Sequence, residues 1–125
     1  MSLDSYLDKF RQALGKFENF GLSEFIDFQQ EIRPGKQAIV NVKVILINNT
    51  FLYIKAYINA KYRVEILSYS FQYQNKNGQL IFRYDNAEHR PSLPSKEHKH
   101  KSDGSIIEAT IPDINDLVDE IIELF

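Results

Sequence analysis

The 125 residues carry a formal net charge of −2, 43% apolar and 26% charged side chains, and no cysteine. Those proportions fit one ordinary globular domain, long enough to enclose a core. The missing cysteine excludes a disulfide framework, a thiolate metal site and a cysteine nucleophile. The charge excludes a strongly basic nucleic-acid-binding domain but leaves room for a local basic patch. Apolar runs are too short to span a membrane and no signal-peptide pattern is present, so the cytoplasm is the expected location.

Leu3, Tyr6, Leu7, Phe10, Leu14 and Phe17 recur with a helical period and predict a helix over residues 3–18, ended by Gly21. Phe25, Ile26, Phe28 and Ile32 fit neither period, and a short strand is expected there before the Pro34-Gly35 turn. Residues 39–47 are nearly all apolar or β-branched, which predicts a strand covered on both faces. Asn48-Asn49-Thr50 turns into a strand over residues 51–58, and Asn59-Ala60-Lys61 turns into a long strand over 62–74. Asn77-Gly78 is the strongest hairpin signal, with residues 80–85 returning from it. Pro91 and Pro94 argue against a strand between them, Asp103-Gly104 is a turn, and residues 106–111 fit a further short strand.

Pro112 precedes a clear helix. Asp113 is its expected N-cap, Asp116 sits in its positive first turn, and Ile114, Leu117, Val118, Ile121, Ile122 and Phe125 form its apolar face. The expected fold is a single α+β domain: an antiparallel meander sheet of four to six strands, with the N-terminal and C-terminal helices packed on one face.

A two-residue type I′ loop at Asn77-Gly78 sets Lys76 opposite Gln79. Counting outward pairs Tyr73 with Phe82, Phe71 with Tyr84, Gln72 with Arg83 and Ser70 with Asp85. Strand side chains alternate, so four aromatics share one face and Ser70, Gln72, Arg83 and Asp85 share the other. Such a cluster is either the solvated face of a sheet or a rigid site for an anion or a base. Tyr57, Tyr62, Tyr69 and Tyr73 fit sheet packing better than a base-stacking platform.

All three histidines, His89, His98 and His100, fall between Glu88 and Lys101, beside Lys96 and Lys99. The acidic residues crowd the C-terminus instead. His98 and His100 share one side of an extended chain, and histidine transfers protons near neutral pH. A solvated loop is the plain alternative. An H-x-H zinc or manganese site is a weaker one, because no spacing compels a carboxylate ligand.

The run Ile81-Phe82-Arg83-Tyr84-Asp85-Asn86-Ala87-Glu88-His89, then Leu93-Pro94 and His98-Lys99-His100, resembles the TumE family. The likeness takes in the strand Tyr69-Ser70-Phe71-Gln72-Tyr73-Gln74 and the helix after Pro112, and spans about residues 36–125. The resemblance implies a small prokaryotic toxin of a type II, two-gene toxin–antitoxin module, with a DNA-binding antitoxin as partner. The chain departs from the family at Ala56, where the family carries a glutamate. If that carboxylate belongs to the family's site, this member is weakened or purely binding.

The leading expectation is an endoribonuclease-like toxin acting on RNA by metal-independent acid–base catalysis, with no cofactor. His89, His98 and His100 are the candidate base and acid, Arg83 and Lys99 carry phosphate charge, and Asp85 orients a histidine or Arg83. Ser70, Gln72 and Asn86 complete the substrate-binding set, with Asn86 on a base or sugar. The alternative is a non-catalytic protein- or RNA-binding module with this segment as docking surface. A metal-dependent hydrolase would need His98 and His100 as ligands.

Overall fold

A computed structural model describes residues 1–88 and 96–125. Helix α1 spans Leu3–Asn19, and its N-cap Ser2 accepts from the Ser5 backbone N–H at 3.1 Å. Gly21 ends the helix at a φ of +68°. Its N–H donates to the Glu18 carbonyl at 2.9 Å, and Leu22 N–H donates to the Phe17 carbonyl at 2.7 Å. These two bonds satisfy carbonyls the helix leaves open, in a left-handed turn that glycine adopts without strain.

Seven strands follow: β1 (Ser23–Arg33), β2 (Gln37–Leu46), β3 (Phe51–Asn59), β4 (Glu65–Gln74), β5 (Leu80–Asp85), β6 (His98–Lys101) and β7 (Ile106–Glu108). Each pairs antiparallel with its neighbour in sequence, giving one open sheet in the order β1 to β7. Helix α2 (Ile114–Glu123) closes the chain, with Asp113 as N-cap accepting from Asp116 N–H at 2.8 Å. The α+β class and the meander are as expected, but the sheet has seven strands, not four to six.

One face of the sheet is apolar. Val40, Val42 and Val44 of β2, Leu52, Ile54, Ala56 and Ile58 of β3, and Phe71, Tyr73, Phe82 and Tyr84 of β4 and β5 are all buried on it. They form one core with Leu7, Phe10, Leu14 and Phe17 of α1 and Ile114, Leu117, Val118 and Ile121 of α2. Burying side chains of this size contributes about 1.5–3 kcal/mol each. Both helices therefore lie on one face, as expected, whereas Phe125 ends 44% exposed. Strand β2 is buried on one face only, since Asn41 and Lys43 are exposed. Strand β4 begins at Glu65 rather than at Tyr62, which is 89% exposed.

The β4–β5 hairpin departs from the expected loop. Gly78 takes a φ of +78°, its N–H donates to the Asn75 carbonyl at 3.0 Å, and Asn75 N–H donates to the Gln79 carbonyl at 3.0 Å. This is a three-residue loop with glycine in the left-handed position, which alone would slip the register by one. A second irregularity lies between Tyr73 and Gln74, beyond which Tyr73 pairs with Phe82. The two shifts cancel, so Ser70↔Asp85, Phe71↔Tyr84 and Gln72↔Arg83 pair as the simpler loop predicts.

Candidate active site

The face away from the helices carries the polar residues. One row across the strands runs Ser70–Asp85–His98 and the next runs Gln72–Arg83–His100. The sequence stretch His98–Lys101 has no apolar pattern. It becomes a strand because β5 offers a free edge and the Asp103-Gly104 turn leads into β7, with Ser105 anchored on Asp103 at 2.6 Å and 2.8 Å. That pairing brings the two histidines beside Arg83 and Asp85.

Asp85 is the hub, with its side chain only 6% exposed. Arg83 Nε donates to Oδ2 at 2.9 Å, His100 Nε2 lies 3.3 Å from Oδ2 and 3.4 Å from Oδ1, and His98 Nδ1 lies 3.6 Å from Oδ1. The imidazole centroids are 6.4 Å apart and nearly perpendicular. A buried carboxylate needs such partners to offset its lost hydration. In return it fixes the orientation of Arg83.

Exposure divides the cluster. Asp85 and His98 are shielded, while the Arg83 side chain is 32% exposed and that of His100 is 11% exposed. Arg83 is held through Nε, and its terminal Nη groups make no hydrogen bond or ion pair among the described residues. A guanidinium fixed at Nε and partly exposed suits bidentate contact with an oxyanion. Ser70 and Gln72 stand half-buried beside it, and Gln72 Nε2 donates to Gln74 Oε1 at 2.7 Å.

Two expected members of the site are engaged elsewhere. Asn86 accepts from Tyr69 N–H at 3.0 Å and donates to the Leu67 carbonyl at 2.9 Å, so it clamps the backbone of β4. Lys99 points to the helix face, where Nζ donates to Glu120 Oε2 at 2.8 Å and sits 4.9 Å from the Tyr84 ring centroid. Burial pushes the Lys99 pKa down, but the bonds to Glu120 and Tyr84 outweigh it and hold the pKa above its ordinary value. His89 lies outside the described residues. Ala56 pairs with Val40 and Tyr69 on the core face. Ala56 therefore lies on the side of the sheet opposite the Asp85 cluster.

Among the described residues, no group of three or more His, Asp or Glu is placed to hold a metal ion. Among the same residues, no helix is long and apolar enough to cross a membrane. Tyr69 and Tyr73 are core residues, as expected for sheet packing, but Tyr62 lies outside the strands and is 89% exposed, against that expectation.

The chain is thus an α+β protein with an open antiparallel sheet, two helices on one face and an Arg–Asp–His cluster on the other. The chain belongs to the toxin TumE family, whose model matches residues 13–124. That family implies a toxin of a toxin–antitoxin system, with an antitoxin as its partner. Neither a curated protein nor a solved structure matches the chain.

Proposed function

We propose that this toxin is an endoribonuclease that cleaves RNA by metal-independent transesterification at the Arg83–Asp85–His98–His100 cluster. The observation that carries the reading is Arg83, anchored on Asp85 through Nε with its side chain one-third exposed beside His100. Arg83 takes the non-bridging oxygens of a phosphate. A histidine removes the proton of the 2′-hydroxyl, the 2′-oxygen bonds to phosphorus, and the bond to the 5′-oxygen breaks as a second group protonates it. The products are a 2′,3′-cyclic phosphate and a 5′-hydroxyl. His100, at 11% side-chain exposure the less buried of the two described imidazoles, is one candidate, and His89 remains the candidate for the second proton. Asp85 and His98 position the others. Ser70 and Gln72 line the approach. The antitoxin, by analogy a DNA-binding protein encoded alongside, silences the toxin.

The test is purified protein with RNA in EDTA. Cleavage leaving cyclic phosphate ends is expected, and Arg83→Ala should slow it by about 10²–10³-fold, the usual loss of one charge-stabilising donor. Cleavage only after manganese or zinc is restored would move the assignment to a metal-dependent hydrolase. The burial of Asp85 (4% exposed) and His98 (3%) favours a second reading, in which the cluster is a rigid docking surface. That reading expects no cleavage, and loss of antitoxin or RNA binding in Arg83→Ala.

A further inference from the structure

The polar face does not end at Arg83. The row that contains it continues across the sheet from Gln72 on β4 to Tyr53 on β3 and Lys43 on β2. The neighbouring row runs from Ser70 to Lys55 on β3. Strands are about 4.8 Å apart, so Tyr53 lies about 10 Å from Arg83 and Lys43 about 15 Å, in a line. Lys43 and Lys55 are exposed and form no ion pair among the described residues. Both neighbour Tyr53, Lys43 directly across on β2 and Lys55 two residues along β3, in a protein whose net charge is −2. A shallow cavity of about 140 Å³ opens here, lined in part by Lys43, Tyr53 and Lys55.

Tyr53 is only half-buried and its ring lies nearly parallel to that of Phe51, at 11° and 6.4 Å between centroids. The neighbouring Tyr57 is committed, its hydroxyl donating to Gln37 Oε1 at 2.6 Å. Asp27 borders Lys43 on β1, but its carboxylate accepts from Gln29 Nε2 at 3.1 Å rather than pairing with the lysine.

From this alignment we infer that the open sheet face is a single-stranded RNA track leading to Arg83. A base stacks on Tyr53, and Lys43 and Lys55 hold the phosphates on either side of it. The inference rests on the RNA-cleaving reading above and extends it to substrate form. An aromatic face between two cations suits an unpaired strand, whose bases are free to stack. A duplex keeps its bases stacked on one another and offers none to the ring.

The test measures binding of a fluorescent single-stranded RNA and a matched duplex, alongside cleavage, with thermal melts to verify folding. Tyr53→Leu should weaken single-strand binding roughly 5- to 150-fold, the usual worth of one stacked base, whereas Tyr53→Phe should bind like the wild type. Lys43→Ala with Lys55→Ala should lower the slope of log K against log salt by about 1.4. Wild-type cleavage with unchanged binding in these variants overturns the track and leaves the ribonuclease reading intact. Track-dependent binding without cleavage upholds the track and overturns the ribonuclease reading. Equal affinity for duplex and single strand overturns the track.

Discussion

Asp85 anchors Arg83 and lies against two imidazoles, and removing it takes the buried carboxylate from all three. Loss of one partner from a buried ion pair costs roughly 3–5 kcal/mol. Arg83 reaches solvent and softens that here, so Asp85→Ala should lower stability by about 2–3 kcal/mol, read as a shift in the urea midpoint. Behind it, the Tyr84 hydroxyl donates to Glu120 Oε1 at 2.5 Å. Burial, then this bond, raises the Tyr84 pKa, and the Lys99 pKa is also raised. Both groups hold their protons more tightly folded than unfolded. Their stabilisation is full below about pH 10 and is lost as pH rises through the folded-state values. The melting temperature should fall between about pH 9 and 11, and less steeply in Tyr84→Phe. At this scale the sequence was legible where strand parity alone decides. Ser70, Gln72, Arg83 and Asp85 meet because two register shifts cancel. Parity also turns Lys99 away from its flanking histidines, so its absence from the site was readable. The backbone clamp of Asn86 was not, because it depends on where β4 lies beyond the hairpin.

Helix α2 contributes four buried apolar side chains, Ile114, Leu117, Val118 and Ile121. At about 1.5–3 kcal/mol each, their sum is comparable to the whole stability of a small domain. Deleting residues 113–125 should leave a protein that fails to melt cooperatively and aggregates. A soluble truncation with a sharp melt would show that the helix belongs to a partner interface. Both helices were legible from their 3.6-residue period. Strand β1 was only half legible, because Phe25, opposite Ile45 on the outer face and 50% exposed, puts an apolar residue where alternation expects a polar one. Beyond it, Ile26 and Phe28 turn to the core side, where Phe28 meets Phe10 edge-on at 5.6 Å. Strand β6, His-Lys-His-Lys, has no apolar signal, and its strand character comes from the partner it pairs with.

Across the whole molecule, every strand pairs with the next in sequence. Apart from β5 to β6, where residues 86–97 intervene, the meander can therefore be assembled from local hairpins without long loop closures. The charges segregated along the chain are brought together in space, as Lys99 with Glu120 and Lys16 with Asp119. This arrangement puts a carboxylate on each side of the same two strands. On one side Asp85 joins Arg83 of β5 to His100 of β6; on the other Glu120 joins Tyr84 of β5 to Lys99 of β6. The pair acts as a rivet with two heads, one set in the polar cluster and one in the helix layer. Loosening the far head should be felt at the near one. Glu120→Ala touches nothing on the polar face, yet it should shift the imidazole NMR resonances of His98 and His100 while those of the β1–β2 hairpin stay fixed. The helix layer would then be a handle on the spacing of the histidines, reachable by anything that grips α2.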